Sequence, residues 1–295
     1  MMKKENMDKY NIWLTLIFGR ANPKIHDVIR KYGTSKAAYE AINDGDISVL
    51  TEAEKEQTGY ATMDKVERLI EYCNKRGIKI CSLGSREYPK LLAEIYDPPV
   101  VFYYRGDLSC LDDLTITFVG ARKATDYTLK NCARVTYETA RVGVTIVSGM
   151  AIGTDQCAHR TCVRNGLKTV GVLGCGIDYE YPKGTFELRE QMIMYGGAII
   201  SELLPREEPS KDYFNPRNRI MAGLSRGTAI FQASVMSGAL ITASYAVNEN
   251  RDVFCVPPPD VFDATYDGVK SLIEDGAILL FDHIDILKEY VGLYI

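Results

Sequence analysis

Residues 213–225 read Tyr-Phe-Asn-Pro-Arg-Asn-Arg-Ile-Met-Ala-Gly-Leu-Ser. Arg217, Asn218 and Arg219 stand where the pattern predicts the start of a helix over 218–224, after a loop rich in proline and charge. The first turn of a helix presents free N–H groups and the positive end of its dipole, and a planar guanidinium donates two parallel bonds to phosphate. The chemistry on offer is phosphate binding. An isolated Arg-x-Arg is also how a salt-bridged surface helix begins, so the surrounding chain has to decide.

Five other short loops carry small or polar residues directly after apolar, β-rich runs: Gly120-Ala-Arg122, Ser148-Gly149-Met-Ala-Ile-Gly153-Thr-Asp155, Gly174-Cys-Gly176, Ser201-Glu202 and Ser237-Gly238. Small residues let backbone N–H groups approach an anion closely. Each glycine alone also serves a turn, but their recurrence on one edge asks for more than turn chemistry. Arg122, Lys183, Arg217 and Arg219 would surround that edge, a set suited to a ligand with several phosphates, such as an oligonucleotide. Tyr181, Tyr179 and Phe214 could offer a base a stacking face, and each can equally be core packing.

Other chemistries fit less well. A dinucleotide site wants G-x-G-x-x-G at the first strand–helix turn, where this chain has Gly-Ala-Arg, and a P-loop wants Gly-Lys-Ser or Gly-Lys-Thr. Asp155 and His159 share a helix face, as a hydrolase could use. They also read as a first-turn acid and the partner of a neighbouring loop, supporting the pocket together with Glu202. Cys157, His159 and Cys162 have the wrong spacing for one helical face and no fourth ligand nearby, so no metal is expected.

These loops need a scaffold, and the periodicity supplies one. From residue 115 strands alternate with helices: strands at 115–119, 144–147, 168–173, 198–200, 228–231 and 253–256, helices at 126–142, 154–165, 186–195, 218–224 and 239–248. That order predicts a parallel sheet with helices on both faces and ligands outside the carboxyl ends of the strands. Residues 1–80 read as a small helical domain, with helices at 11–18, from Pro23 to a stop at Gly33, at 35–42 and at 64–73. Residues 81–114 join the two, with a strand at 100–104, and the α/β domain occupies 115–290.

Bulk composition agrees with an ordinary globular chain. In 295 residues the net charge is −4, which argues against a coat of basic charge but leaves room for a local basic groove. The eight scattered cysteines read as reduced core thiols in a cytoplasmic protein. Lys3 and Lys4 precede acidic and polar residues rather than a signal-peptide core, and the apolar run 12–18 is too short to span a bilayer. No membrane association is expected.

Taken in order, Gly120-Ala-Arg122, Ser148 to Asp155 with Ala158-His159, Val172-Leu-Gly-Cys-Gly-Ile-Asp178 with Tyr181-Pro182, Ser201-Glu202, Phe214-Asn-Pro-Arg-Asn-Arg-Ile220 and Ser237-Gly-Ala-Leu-Ile-Thr-Ala243 resemble the DNA-processing protein A (DprA/Smf) family. Tyr88-Pro-Lys-Leu-Leu92, Asp97-Pro-Pro99 and Tyr104-Arg-Gly106 resemble the family's entry into that domain. The resemblance implies an extended Rossmann-like domain behind a sterile-alpha-motif-like or helix-hairpin-helix-like module. It implies a protein without cofactor or catalytic reaction that binds single-stranded DNA in natural transformation, protects it, helps load RecA and forms a homodimer. Carried over by position, Arg122 and Lys183 match DNA contacts, and Arg217 and Arg219 match the motif beside the same pocket. With the loops already named, the expected binding set is Gly120, Arg122, Ser148, Gly149, Gly153, Gly174, Gly176, Tyr181, Lys183, Arg217, Asn218, Arg219, Ser237 and Gly238. The chain departs from the family pattern at Phe231-Gln232-Ala233, where an acidic residue is usual. It departs again at Pro257-Pro258-Pro259 and at Val269-Lys270-Ser271. Many relatives add a C-terminal winged-helix-like domain, which is not expected within these residues.

Overall fold

The structure, a computed structural model, describes residues 4–291, so Lys3 lies outside the described residues. Five helices open the chain: α1 (Lys4–Phe18), α2 (Lys24–Tyr32), α3 (Ser35–Asn43), α4 (Glu52–Tyr60) and α5 (Met63–Lys75). Helix α4 escapes the hydrophobic-periodicity reading because it buries nothing. Its local signal is the capping box, in which the Thr51 side chain accepts from Glu54 N–H and Glu54 reaches back to the Thr51 amide.

Next come β1 (Lys79–Ser82), the short α6 (Lys90–Ala93) and β2 (Val101–Gly106). The α/β alternation then runs β3 (Thr115–Val119), α7 (Asp126–Ala140), β4 (Thr145–Ser148), α8 (Thr154–Arg164), β5 (Thr169–Val172), α9 (Phe186–Met194), β6 (Ala198–Ser201), α10 (Lys211–Gly223) and β7 (Gly227–Ile230). It ends with α11 (Gly238–Asn248), β8 (Asp252–Cys255), α12 (Asp267–Glu274), β9 (Ile278–Leu279) and α13 (His283–Tyr290).

The strands form one sheet in the order β1-β2-β6-β5-β4-β3-β7-β8-β9. Pairing is parallel from β6 through β9, as the alternation predicts, and β1 and β2 extend the β6 edge antiparallel. Alternation along each strand splits the core. On β3, Ile116 and Phe118 pack with Val135 of α7 and Cys162 of α8, while Thr115 and Thr117 face α10 and donate to the carbonyls of Leu224 and Met221. On β2, Phe102 and Tyr104 share the α10 side, while Val101 and Tyr103 pack against Trp13, Ile17 and Val66 of the N-terminal helices. The helical region therefore shares a core with the sheet extension. Polar ties reinforce it: Asn11 Nδ2 donates to Val100 O at 3.3 Å and Ser82 Oγ donates to Asp8 at 2.6 Å.

Helix α10 corrects the expectation of a helix beginning at 218. Ser210 caps it, its side chain accepting from Asp212 N–H, and the helix runs through Pro216 in its interior. An interior proline costs a helix about 3 kcal/mol. Burial of Asn218, Arg219, Ile220, Met221 and Ala222 on the sheet offsets that cost. Arg217 and Arg219 thus lie mid-helix, and no free helix-start amides surround them.

Candidate nucleic-acid interface

Strand β3 is the topological switch point. Strands β4, β5 and β6 lie on one side of it, and the crossover through α10 returns the chain to β7 on the other. Ligands of open α/β sheets occupy the crevice such a reversal leaves at the carboxyl ends. Here that crevice is a cleft of about 420 Å³ between Val119-Gly120 and Gln232, walled by Asn218 of α10 and by Gly238, Ala239 and Thr242 of α11. A smaller pocket of about 130 Å³, bounded by Met150, Leu173, Gly174, Tyr181 and Pro182, adjoins it. Arg122, Ala151, Phe214 and Arg217 line both.

Phe214 forms the partition between the two. Its position requires glycine at 174: a Cβ there would stand 2.5 Å from the Phe214 Cδ1. The Tyr181 ring lies 5.6 Å from that of Phe214 at 34°, and the Arg122 guanidinium sits 5.5 Å over the Phe214 ring. Arg122 is held there by its loop. Gly153, at φ +83°, lets the turn before α8 press against the carbonyls of Ala121 and Arg122, where any Cβ would come within 2.5 Å. Gly120 packs as tightly against Thr154.

Arg217 closes the floor. Its guanidinium donates to the carbonyl of Val172 and, through Nε, to Asn218 Oδ1 at 3.1 Å, and it lies over Gly149 beside the Asp155 carboxylate. Asp155 accepts from the Ala151 amide at 3.2 Å. Burial pushes the Asp155 carboxyl up to about 6, against the pull of Arg217, the backbone amides and Arg122. Burial also lowers Arg217, which Asp155 partly restores. Asn218 Nδ2 donates to Gly238 O at 3.4 Å, tying α10 to the start of α11, where Ser237 caps the helix.

Other residues of the expected set lie elsewhere. Arg219 faces away from the cleft, 4 % exposed, and grips Glu202 through both Nη atoms at 2.8 and 2.7 Å and Asp97 through Nε at 3.1 Å. Glu202 is therefore the anchor of that arginine. Ser148 is buried, donating to Phe118 O. Gly176 abuts the 204–207 turn, its amide donating to Glu207 O at 2.7 Å. His159 is sealed between α8 and the sheet, its Nδ1 2.8 Å from Thr169 Oγ1, and burial lowers it to about 3. Lys183 is exposed, two residues from Tyr181 and outside the lining of both pockets.

The structure adds cleft residues outside the expected binding set: Lys123, Asn215, Ser234, Thr242 and Thr265. Lys123 had a signal, as it follows Arg122 in the same loop. Asn215 and Thr242 lie inside the Phe214–Ile220 and Ser237–Ala243 runs, while Ser234 and Thr265 come from positions only the fold brings together. Gln232 lines the cleft, accepting from Thr125 N–H and Thr128 Oγ1 and donating to Thr265 Oγ1 at 2.9 Å. Residues 223–227, Gly-Leu-Ser-Arg-Gly, match the G-x-S-x-G spacing of a nucleophile elbow. They join a helix to a strand, the reverse of an elbow, and Ser225 is fully buried with its hydroxyl 2.8 Å from Thr117 Oγ1.

Residues 79–291 match a family model described as DNA recombination-mediator protein A. The chain is 39% identical over 203 residues to the DNA processing protein DprA of Streptococcus pneumoniae, covering 69% of this chain and 71% of that one. It is 35% identical over 226 residues to DprA of Bacillus subtilis, covering 76% and 75%. The solved structure of the S. pneumoniae protein superposes with a TM-score of 0.81 at 32% identity, covering 95% of this chain and 97% of that one. A DNA processing protein A from Helicobacter pylori, solved in work on its single-stranded DNA binding mode, superposes with a TM-score of 0.64 at 29% identity, covering 74% and 98%.

Proposed function

The chain belongs to the DNA recombination-mediator protein A (DprA/Smf) family, and from that premise we propose that it is a DNA-processing protein of natural transformation that binds single-stranded DNA along the carboxyl edge of its sheet. The observation that carries the reading is the partition itself: Phe214 flanked by Tyr181, with Arg122 over its face, between two open pockets. Aromatic faces stack bases of any sequence, and cations beside them track the backbone. Among the described residues Arg122, Lys123 and Lys183 form no ion pair, which leaves their charge for phosphate. A duplex, with its bases already stacked on one another, gains little from such a partition.

The reading is of a binder rather than an enzyme. Asp155 and His159 do not form an acid–base pair facing the cleft, since His159 is sealed and bonded to Thr169. Protection of the strand, handover to RecA and self-association through the Rossmann-like region complete the proposal. Exposed Leu279, Phe281 and Ile284 at the β9 edge suit the last of these. Among the described residues no helix is long and apolar enough to cross a membrane.

The test is fluorescence anisotropy of a labelled single strand against the matching duplex, for the wild type and an Arg122→Glu/Lys183→Glu variant. Preferential single-strand binding lost in the variant supports the proposal. Equal binding by both proteins moves the DNA site elsewhere, and no binding by the wild type removes it.

A further inference from the structure

The switch-point cleft holds more unsatisfied donors than a stacked base or a passing phosphodiester engages. Gly238 is the first residue of α11, and its amide donates to no group among the described residues, the Ser234 carbonyl being taken by Ser237 N–H and the Ser237 hydroxyl by Ala239 N–H. One turn along the same helix, Thr242 lines the cleft at 1 % exposure, and its hydroxyl has no hydrogen-bond partner among the described residues. Ser234, four residues before Gly238 and half-buried, brings a second hydroxyl to the same wall. Arg122 and Lys123 bring two cations that form no ion pair among the described residues. The floor carboxylate, Asp155, has Arg217 beside it.

An internal phosphodiester offers two non-bridging oxygens and a single charge. A phosphomonoester offers three terminal oxygens and about −1.5 to −2 charge at neutral pH. The amide, the two hydroxyls and the two cations match the second. The cleft volume of about 420 Å³ lies within the roughly 300–1,000 Å³ of small-molecule sites.

Resting on the reading of this edge as a single-strand site, we propose that the cleft takes the phosphomonoester of a nucleotide, either the phosphorylated end of a single strand or a free nucleoside monophosphate. The phosphate sits on Gly238 N–H and the Thr242 hydroxyl, with Arg122 and Lys123 closing over it and the nucleoside directed toward Phe214.

Gly238 permits a direct test. As the first helical residue, following Ser237 in an extended conformation (φ −74°, ψ 135°) with open space at its Cβ position, it accepts proline without strain. Gly238→Pro deletes the amide hydrogen, Gly238→Ala keeps it, and Thr242→Val removes the hydroxyl at constant shape. Anisotropy is measured with labelled dT20 carrying a 5′-phosphate, a 3′-phosphate or hydroxyl ends, and with dTMP, thymidine and inorganic phosphate as competitors. The wild type is expected to prefer one phosphate-ended strand about tenfold, as one charge-assisted hydrogen bond supplies. In Gly238→Pro and Thr242→Val that ratio falls toward one, with thermal melts confirming folding, and Gly238→Ala retains it. Displacement by dTMP but not thymidine, without an end preference, assigns the free nucleotide as the ligand. Equal binding of all strand ends with no competition by dTMP or phosphate overturns the inference and leaves the single-strand reading intact. Failure of every strand to bind while dTMP binds overturns that reading and leaves the cleft assignment standing.

Discussion

The salt dependence of single-strand binding counts the cations the fold leaves free. Arg219 is neutralised by Glu202 and Asp97, and Arg217 is tied to a backbone carbonyl beside Asp155, so neither can take up a phosphate without giving up a partner. Arg122, Lys123 and Lys183 remain. For single strands, log Kobs falls with log salt at about −0.7 per neutralised phosphate, so three contacts give a slope near −2.1. Raising salt from about 50 to 200 mM should then weaken binding about 18-fold. Arg122→Gln brings the slope to about −1.4, a loss of roughly 7-fold over the same interval. Arg122→Gln/Lys183→Gln brings it to about −0.7. Anisotropy titrations of a labelled dT20 at four salt concentrations read the slopes directly. A wild-type slope near −4, or one that Arg122→Gln leaves unchanged, would refute the count and with it the separation of free from engaged arginines.

Further outcomes follow from the same geometry. Phe214→Ala should cost about 1–3 kcal/mol of single-strand affinity, the worth of one base stack, with little change in salt slope; isothermal titration against dT20 checks both. Arg219→Met strands Glu202 and Asp97 and should cost about 3–5 kcal/mol of stability, a melting-temperature fall on the order of 10 °C by calorimetry. The DNA salt slope of the remaining folded protein should not move. The Asp155 carboxyl is held up at about 6, against an ordinary 3.8, so the unfolded chain ionises first and its contribution to stability is lost as pH rises from about 4 to 6. His159, lowered to about 3, acts oppositely, costing stability as pH falls below its ordinary 6.5. Comparing Asp155→Asn with the wild type isolates the first effect: the relative stability of the variant should rise by up to roughly 3 kcal/mol across pH 4–6 in urea titrations. Single-strand affinity of the wild type should strengthen from pH 7 to 5 and that of Asp155→Asn should not. Gln232→Glu puts a carboxylate into the cleft wall and should weaken single-strand binding several-fold at pH 7.5, measured as above.

The sequence by itself determined the architecture and the sheet edge on which the candidate site lies. Strand–helix alternation from residue 115 specifies the parallel sheet because apolar period and spacing are local properties, and glycine after a strand marks the carboxyl end. Arg122, Gly153, Gly174 and Tyr181 were legible for the same reason: each sits in a loop whose composition differs from the runs beside it. Tertiary structure decided what a side chain faces. Helix α10 runs through Pro216 because burying six consecutive residues, 218–223, outweighs a local penalty, so Arg217 and Arg219, two residues apart, end on different sides of the helix. One meets the cleft floor; the other meets Glu202 and Asp97, whose proximity comes from strand order and from the joining segment packing under α10. Lys123, Gln232, Ser234, Thr242 and Thr265 share one cleft although they span more than 140 positions of chain, because β3 and β7 are neighbours only in the folded sheet. Period and composition report which residues are buried. Which two distant loops meet is fixed by strand order, and that depends on packing across the whole sheet.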